Sequence, residues 1–345
     1  MELPTLSVIL PNYNHSQYLP ECLKAILDQS EKAKEVIVID DASTDNSVEI
    51  IKSFAEKDAS IKLISNENNL GNILTNLKGL EHATGDYVLL AAVDDYLLPG
   101  FFESSLKLLA KHPQAGLCSA LSQRVNENGD YLDTVPKPPY LSNHSTYIPP
   151  ERIQHIVKFD KTLPVMPSVA LFNRKLAIEI KAFSTDSGRY IDGFAVMLMA
   201  LNHGVCFIPQ EYGVYRVLPE SGGAKSRQEP KAHLQDVTPM WKLMETTYAN
   251  RFPYEIRQSI KKGHLYTYGA MALNQLNESQ EKFFKDMQVS LENPSWIDRL
   301  FLSGTQWLDK FQFLITKGFL YLRLRGISFN ALIRIKDKYK NRTIS

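Results

Sequence analysis

Short apolar runs alternate with segments of helical periodicity over residues 1–125, and this alternation constrains the fold more than any other feature of the sequence. The apolar runs predict buried strands at residues 6–10, 36–39, 61–64, 87–93 and 115–121. Between them, apolar residues recur at helical spacing, and the first such set is Tyr18, Leu19, Cys22, Leu23, Ile26 and Leu27. Strands that are apolar along their whole length are covered on both faces. The pattern therefore predicts an α/β fold with a mostly parallel central sheet and helices on both of its faces.

The rest of the chain divides into a mixed segment and a helical one. Residues 126–150 carry five prolines among polar residues and predict a loop. Beyond it, the pattern predicts a helix from residue 151, a strand near 168–172, a helix at 192–203, and strands at 205–208 and 212–217. From Ala232 onward the periodicity is helical and amphipathic. We therefore expect one domain at residues 1–230, with halves at 1–125 and 126–230, and a helical region at 231–345.

Composition and cysteine usage argue against several functional classes. The net charge of +1 over 345 residues creates no global field, so we expect no nucleic-acid partner. Cys22, Cys118 and Cys206 are far apart and form no CxxC pair, which argues against a zinc site or a disulfide framework and predicts small buried residues. The N-terminus lacks the features of a signal peptide, and there is no run of about 18 apolar residues. We therefore expect a cytoplasmic protein.

Polar and acidic residues follow three of the predicted strands. They are Pro11-Asn12-Tyr13-Asn14 after the first, Asp40 to Asp45 after the second, and Asp94-Asp95 after the fourth. Ligands of open α/β sheets bind at the carboxyl ends of the strands, so these clusters predict a binding site at one edge. The alternative for residues 40–45 is a turn that only caps the next helix, and the alternative for Asp94-Asp95 is an N-cap pair.

Taken together, these clusters resemble the nucleotide-sugar-binding half of a family 2 glycosyltransferase with the GT-A fold. The matching stretches are Ser7 to Asn14, Val38 to Asp45, Asn69-Leu70-Gly71 with Asn76, and Gly85 to Val88 leading into Asp94, Asp95 and Pro99. Five ordered matches within residues 1–125 are specific where a single one is not. In the second half, Tyr190 to Phe194 resembles the acidic motif of the family, and Tyr215-Arg216 with Ser221 resembles its loop over the diphosphate.

The resemblance implies roles for residues in the donor-binding half. Pro11 and Tyr13 would line the nucleobase pocket, and Asp41 would accept a hydrogen bond from the base or the ribose. Four further residues would shape or support that pocket: Asn14, Ser43, Gly71 and Asn76. Asp94 would face a divalent cation, Mg²⁺ or Mn²⁺, that neutralises charge on the leaving diphosphate. Asp95 is a weaker metal candidate, and its alternative role is to anchor the loop.

The acidic motif of the second half implies the catalytic base. Asp192 would remove a proton from the acceptor hydroxyl as that oxygen attacks the anomeric carbon, which inverts the anomeric configuration. The alternative is that Asp192 is only the N-cap of the following helix. Both roles are compatible, and a helix N-terminus would help to keep the carboxylate ionised.

Two positions depart from the family pattern. The usual Asp-x-Asp-Asp reads Ala92-Val93-Asp94-Asp95, so the first acidic position is apolar. The usual Tyr-Arg-x-His ends in Leu218, which removes a candidate metal ligand. Three cations would be able to clamp the donor diphosphate in place of metal, namely Arg216, Lys225 and Arg227.

The last residues of the chain are basic and aromatic. From Lys310 to the C-terminus there are nine Lys or Arg against one acidic residue, Asp337. Residues 305–345 are therefore a candidate for peripheral contact with the inner face of a membrane, where a lipid-linked acceptor would be found. The alternatives are a helix docked on the catalytic domain and one that forms a homo-oligomer interface.

The sequence thus favours an inverting glycosyltransferase that uses a nucleotide-sugar, with UDP as the first choice, and a saccharide or lipid-linked oligosaccharide acceptor. A sugar nucleotidyltransferase is a second interpretation, although its Gly-rich basic loop is absent after the first strand. A catalytically degenerate scaffold subunit is a third, suggested by Ala92 and Leu218. Residues 222–226 are not a P-loop, because Gly does not directly precede Lys225.

Overall fold

The computed structural model describes residues 2–135, 141–160, 163, 165, 167–218 and 230–274. The first four strands of its sheet are β1 (Leu6–Asn12), β2 (Glu35–Asp40), β3 (Ile61–Ser65) and β4 (Tyr87–Leu90). They are parallel, and β1 lies between β2 and β4. The order of the strands therefore reverses at β1, which creates a crevice at the carboxyl ends of β1 and β4.

Six further strands continue the sheet beyond β4. They are β5 (Tyr96–Leu97), β6 (Leu117–Val125), β7 (Tyr131–Thr134), β8 (Thr146–Ile148), β9 (Ala170–Asn173) and β10 (Val205–Arg216). β9 is antiparallel to both of its neighbours, β4 and β6, while β10 is parallel to β6. The short strands β5, β7 and β8 add antiparallel pairs to β10 and β6.

Helices cover both faces of this sheet. They are α1 (Leu19–Leu27), α2 (Ser47–Ala55), α3 (Asn72–His82), α4 (Phe101–Lys111), α5 (Pro150–Asp160), α6 (Arg174–Glu179), α7 (Ile191–His203), α8 (Pro230–Glu245) and α9 (Tyr254–Asn274). A 3-10 segment at Thr185–Tyr190 runs directly into α7, and a second lies at Pro167–Val169. The expected α/β fold with helices on both faces is confirmed.

The strand pattern explains why two apolar cores form. Val8 and Leu10 point to one face of β1 and pack with residues of α1 and α4, including Phe101. Ile9 points to the other face and belongs to a cluster that includes Phe194 of α7. Successive residues of a strand face opposite sides, so a continuous apolar run serves both cores. Each fully buried large apolar side chain contributes about 1.5–3 kcal/mol.

Three sequence predictions about strands are wrong in detail. The strand expected at residues 87–93 ends at Leu90, because Ala92 and Asp95 form a turn in which the Asp95 amide donates to the Ala92 carbonyl at 3.2 Å. The segment 126–150, expected to be a loop, contains β7 and β8, which pair with β6 and β10. The strands expected at 205–208 and 212–217 are one strand, and a register irregularity around Glu211 divides the apolar pattern.

The helices after residue 230 share the core of the second half. Tyr248 and Phe252 lie in the connection between α8 and α9 and pack against the buried ring of Phe194, Tyr248 edge-on at a centroid distance of 5.1 Å and Phe252 stacked at 5.9 Å. Trp241 and Tyr268 are also buried. Within the described residues, no helix is both long and apolar enough to cross a membrane. The predicted membrane-contacting segment, residues 305–345, lies outside the described part of the chain.

The three cysteines are buried and unpaired, as the sequence predicts. Burial raises the pKa of each of the three thiols well above its ordinary value. Neutral thiols surrounded by apolar atoms act as packing residues and do not act as nucleophiles.

Candidate active site

A cavity of about 800 Å³ opens at the carboxyl ends of β1 and β4, where the strand order reverses. One wall is formed by α3 and the residues before it, a second by residues 90–94 after β4, and a third by the Thr185–Tyr190 segment and the start of α7. This volume is typical of a site for a substrate with several rings. The location matches the strand-end prediction.

The turns that follow β1 and β2 are tied together by side chains. The Asn12 amide donates to Asp40 Oδ1 at 2.9 Å and to Ser43 Oγ at 3.1 Å. Ser43 Oγ also accepts from the Asn14 backbone N–H at 3.0 Å, and Asn14 Oδ1 accepts from the Thr44 backbone N–H at 2.7 Å. These hydrogen bonds fix the turn after β1 relative to the turn after β2. Asn14 and Ser43 therefore support the crevice, although neither lines the cavity.

The alternative role of residues 40–45 as a turn and cap is partly observed. Asp45 accepts from the Ser47 backbone N–H at 3.0 Å in the first turn of α2, and it also accepts from the Ser16 N–H at 3.0 Å. Burial opposes ionisation of Asp45, but hydrogen bonds from Ser47 and Ser16 outweigh it and lower its pKa to about 2. Asp45 therefore has a structural role. Capping accounts for Asp45 but not for the other residues of the 40–45 cluster.

Asp41 organises the loop that forms the α3 wall of the cavity. Its carboxylate is buried and accepts from Asn66 Nδ2 at 2.7 Å and from the backbone N–H groups of Leu70 and Gly71 at 2.9 and 2.8 Å. Burial opposes ionisation, but these hydrogen bonds outweigh it and lower the pKa of Asp41. Gly71 has a φ of 82°, a conformation that favours glycine, at the start of α3. In this structure Asp41 thus holds the loop, and its predicted contact with the nucleotide stays a prediction.

Asp94 and Asp95 differ in their surroundings although they are adjacent. Asp94 lines the cavity, and no hydrogen bond to its carboxylate is found among the described residues. Asp95 is buried, and its Oδ1 accepts from the Arg216 backbone N–H at 3.0 Å. Burial and the nearby Asp94 charge raise the pKa of Asp95 to about 7, against hydrogen bonds from Arg216 and Ser168. Neither residue caps α4, whose N-cap is Gly100.

Arg216, expected to clamp the donor diphosphate, is committed to the protein itself. It is 5 % exposed, and its guanidinium donates to Glu21 Oε2 at 2.6 Å, to the Glu127 carbonyl at 3.0 Å and to the Asp94 carbonyl at 3.2 Å. It also lies over the ring of Tyr18, 5.1 Å from the centroid. Since each guanidinium nitrogen already has a partner, Arg216 fixes the Asp94–Asp95 turn and does not face the cavity. Ser221, Lys225 and Arg227 lie outside the described residues.

Asp192 lies in the first turn of α7 and lines the cavity. The N-cap of α7 is Tyr190, so the cap alternative for Asp192 is not observed. The Asp192 side chain is open to the cavity but enclosed by protein elsewhere, and this desolvation raises its pKa despite a 2.6 Å hydrogen bond from the Gly193 N–H. We expected the helix N-terminus to favour the ionised form, but desolvation outweighs it. A raised pKa makes the ionised carboxylate a stronger base.

The cavity brings together some of the predicted site residues and leaves others outside. Five of them line it: Pro11, Gly71, Asn76, Asp94 and Asp192. Four lie in the surrounding framework without lining it: Asn14, Asp41, Ser43 and Arg216. Tyr13 is 44 % exposed and does not line the cavity either.

Sequence reasoning missed several cavity residues. His15, Ser168, Thr185 and Arg189 contribute polar side chains to the lining. The signal for Arg189 was available, because it lies three residues before Asp192 in the acidic motif. No sequence signal marked Ser168, which reaches the cavity only because β9 is inserted next to β4.

The Gly85-Asp86 motif, in contrast, serves the sheet. The Asp86 carboxylate accepts from the Thr5 backbone N–H at 2.8 Å, and the Gly85 N–H donates to Ser7 Oγ at 2.8 Å. A Cβ at Gly85 would lie 2.6 Å from the Ser7 nitrogen, so only glycine fits. The motif fixes β4 against β1 and thereby places Asp94.

The lining suits a divalent cation only with help from the substrate. Among the described residues there is no cluster of three or more His, Cys, Asp or Glu side chains that would hold a metal by itself. Asp94 offers hard oxygen ligands toward the cavity, while Ala92 and Leu218 offer none. Mg²⁺ and Mn²⁺ are commonly held by one or two carboxylates together with substrate phosphates and water. The residues present fit that arrangement.

Comparison with known proteins relates the chain to glycosyltransferases. The chain is 26 % identical over 220 residues to glycosyltransferase GlyG of Streptococcus pneumoniae, a match that covers 61 % of this chain and 70 % of GlyG. It is 37 % identical over 112 residues to an uncharacterised glycosyltransferase of Haemophilus influenzae (32 % of this chain, 45 % of that protein). It is 38 % identical over 132 residues to the uncharacterised glycosyltransferase YibD of Escherichia coli, 38 % of either chain. The chain thus spans less than half the length of the latter two relatives.

The fold and the sequence family of the chain are shown by two further matches. Residues 1–349 of S. aureus TarS, crystallised with UDP-GlcNAc, superimpose with a TM-score of 0.54 at 14 % identity, over 94 % of this chain and 93 % of that one. That likeness shows a shared fold. The model of the family described as glycosyl transferase family 2 matches residues 7–181, just over half of the chain. The chain therefore belongs to glycosyl transferase family 2, with the GT-A fold.

Proposed function

We propose that this protein transfers a sugar, with inversion, from a nucleotide-sugar to a hydroxyl group of a saccharide or lipid-linked oligosaccharide. One observation carries the proposal: a single cavity at the switch point of the sheet has a carboxylate on each of two walls, Asp94 after β4 and Asp192 at the start of α7. A single-displacement transfer requires one group that acts on the donor and another that acts on the acceptor. These two carboxylates can serve as that pair.

The donor side is formed by Pro11, Gly71, Asn76 and Asp94. Pro11 and the α3 wall supply the surface against which the nucleoside packs, and the Asp41 network keeps that wall in place. Asp94 would hold Mg²⁺ or Mn²⁺, which neutralises negative charge on the leaving nucleoside diphosphate. Arg216 contributes indirectly, because its guanidinium donates a hydrogen bond to the Asp94 backbone carbonyl.

Asp192 acts on the acceptor side. Its carboxylate accepts the proton of the acceptor hydroxyl while that oxygen bonds to the anomeric carbon. The bond from the anomeric carbon to the diphosphate oxygen breaks in the same step, and the nucleoside diphosphate leaves with the electron pair. The raised pKa of Asp192 suits a general base, which typically contributes about 10²- to 10⁴-fold to the rate.

The first experiment is a donor-hydrolysis screen with UDP-, GDP- and dTDP-sugars, with and without Mn²⁺. The panel begins with UDP-sugars because the S. aureus fold neighbour was solved with UDP-GlcNAc. We expect release of one nucleoside diphosphate in a reaction that requires metal. Asp94→Asn is expected to abolish this release both with and without Mn²⁺. A nucleotidyltransferase would instead release no nucleoside diphosphate from this panel, but would release inorganic diphosphate when given a nucleoside triphosphate and a sugar 1-phosphate. Absence of donor binding by calorimetry, with and without metal, would support the scaffold interpretation.

A variant of the proposed base gives the sharper test. Asp192→Asn keeps the shape of the side chain but cannot accept the proton. We expect transfer to fall by about 10²- to 10⁴-fold while UDP affinity changes less than about twofold. Transfer at the wild-type rate would show that Asp192 is not the base.

A further inference from the structure

One cation in the cavity has no role in the proposed reaction so far. Arg189 is the only Lys or Arg among the described residues that line the cavity. It lies in the Thr185–Tyr190 segment, three residues before Asp192, and its side chain is 61 % exposed. The other charged groups of the lining are the carboxylates of Asp94 and Asp192. The exposed guanidinium of Arg189 is thus the only group in this described lining that attracts an anion through a fixed positive charge.

The partners of Arg189 leave most of its donors available. Its Nε lies 3.9 Å from Asp236 Oδ1 of α8, which is near the upper limit for an ion pair. No hydrogen bond from its guanidinium is found among the described residues. Arg216, by comparison, uses all of its guanidinium nitrogens within the protein. Arg189 therefore retains the planar set of N–H groups that matches phosphate oxygens in a bidentate way.

The position of Arg189 assigns it to the acceptor side. The proposed base, Asp192, must contact the acceptor hydroxyl, and Arg189 precedes it by less than one helical turn. The donor-side groups come from other elements, namely the ends of β1 and β4 and the start of α3. Apolar side chains share the lining with Arg189, among them Leu74, Leu77 and Phe183, and Leu74 is 48 % exposed. A ligand group at Arg189 thus has both a positive charge and an apolar surface within the same cavity.

We propose that Arg189 forms an anion subsite that binds a phosphate ester group of the acceptor and thereby selects acceptors that carry one. This inference rests on the proposed function, since it takes Asp192 as the base. Arg189 determines acceptor specificity, whereas Asp94 serves the donor diphosphate. The phosphate belongs either to a soluble saccharide or to a lipid carrier, and only the chain of a lipid carrier would gain from the apolar residues of the cavity lining.

The test measures binding of three probes to the wild-type chain in the presence of Mn²⁺ and a saturating concentration of the nucleoside diphosphate (UDP, GDP or dTDP) that the donor screen identifies. The probes are glycerol 3-phosphate (a phosphate without a chain), octyl phosphate (a phosphate on an apolar chain) and octyl glucoside (the chain without charge). We expect both phosphates to bind and Arg189→Gln to weaken each about tenfold, the size expected for a hydrogen bond to a charged group. Octyl glucoside binding is expected to stay unchanged. Tighter binding of octyl phosphate than of glycerol 3-phosphate indicates a lipid-borne phosphate, and equal binding indicates a soluble one.

Two further variants separate ligand binding from a structural ion pair. Asp236→Asn removes the carboxylate that competes for Arg189, so it is expected to leave phosphate binding unchanged or to tighten it. A purely structural Arg189–Asp236 pair predicts the opposite, that Asp236→Asn weakens binding as Arg189→Gln does. Arg124→Gln is the matched control, because Arg124 is a half-exposed arginine paired with Asp133 at 2.6 Å outside the cavity.

Several results would overturn the proposal. They are failure of both phosphates to bind the wild-type chain, unchanged phosphate affinity in Arg189→Gln, a parallel loss in Asp236→Asn, and a loss of UDP affinity in Arg189→Gln, which would assign the residue to the donor. A failure of the proposed function looks different, because the wild-type chain itself would then neither bind UDP, GDP or dTDP nor release any of them from the corresponding nucleotide-sugars.

Discussion

The two sides of the cavity are held in place by different kinds of interaction. On the donor side, Asp40, Asp41 and Asp45 accept hydrogen bonds from nearby backbone and amide groups, most of them within the same few loops. On the acceptor side, the segment before α7 is held by ring packing: Tyr190 lies against His233 and His264 at centroid distances of 6.3 and 5.6 Å. The donor side is therefore built by polar residues that the sequence displays as motifs, and the acceptor side by helices that come much later in the chain.

Because of this difference, the stability of the two sides is expected to depend differently on pH. Burial opposes ionisation of Asp45, but hydrogen bonds from Ser47 and Ser16 lower its pKa to about 2 on the donor side. Such carboxylates stabilise the fold above the pKa of the unfolded chain, about 3.9 for Asp, and lose their effect as pH falls toward 2. On the acceptor side, burial and the neighbouring His233 lower the pKa of His264 to about 3. The acceptor side is thus expected to lose stability at a higher pH than the donor side.

The largest expected effect is on the donor side. Asp41→Ala leaves the Asn66 amide and the Leu70 and Gly71 N–H groups without their acceptor, so we expect a loss of about 3–5 kcal/mol in the free energy of unfolding. The matched control is Asp58→Ala, a partly exposed turn aspartate that accepts from the Ser60 N–H, with an expected loss below about 1 kcal/mol. Chemical denaturation measures both. Equal losses would contradict the role of Asp41.

A somewhat smaller effect is expected where the two sides meet. Arg216→Gln removes the bonds from β10 to Glu21, Glu127 and the Asp94 carbonyl, and we expect a loss of about 2–3 kcal/mol, reduced from the value for a fully buried pair because Glu21 is half exposed. Donor binding should weaken as the Asp94 turn loosens. Normal stability together with lost donor affinity would instead support the original prediction that Arg216 contacts the diphosphate.

The pH response sharpens the comparison on the acceptor side. An unfolded chain protonates His264 near pH 6.5 and the folded chain only near pH 3, so the folded state binds fewer protons between these values. Stability therefore falls as pH drops from 6.5, by at most about 1.4 kcal/mol per pH unit. His264→Gln, whose amide can still accept from Trp241 Nε1, is expected to flatten the dependence of melting temperature on pH between 6.5 and 4.5. His82→Gln, at an exposed position of α3, is the control, and an identical slope in His264→Gln would contradict the prediction.

The smallest expected effect is a gain in stability on the donor side. Ala42, directly after Asp41, has a φ of 63°, which costs a residue with a Cβ about 1–2 kcal/mol. Ala42→Gly relieves this strain and loosens the unfolded chain, for a net gain of about 0.5 kcal/mol. Ala25→Gly, in the middle of α1, is expected to lose about 0.5–1 kcal/mol. Thermal denaturation of the two variants should therefore shift in opposite directions.

Much of the donor side was predictable from the sequence because its determinants are local. Apolar runs specify strands covered on both faces, and the residues that follow them form the turns at one sheet edge. The positions of Asp94 in the turn after a strand and of Asp192 at the start of a helix follow approximately from the same periodicity. The family resemblance depended on these short, ordered stretches, and the match of the family model to residues 7–181 confirms it.

Other features were decided only by the tertiary structure. Sequence periodicity does not reveal that β9 is inserted antiparallel between β4 and β6, or that residues 205–216 form one strand. It predicted that Arg216 faces the ligand, whereas the fold brings Arg216 against Asp94, 122 positions earlier, and uses its donors there. It also gave Arg189 no role, although the fold exposes that side chain in the cavity. Local patterns specify which elements form, but the partner of a side chain depends on strand order and helix packing between residues far apart in the chain.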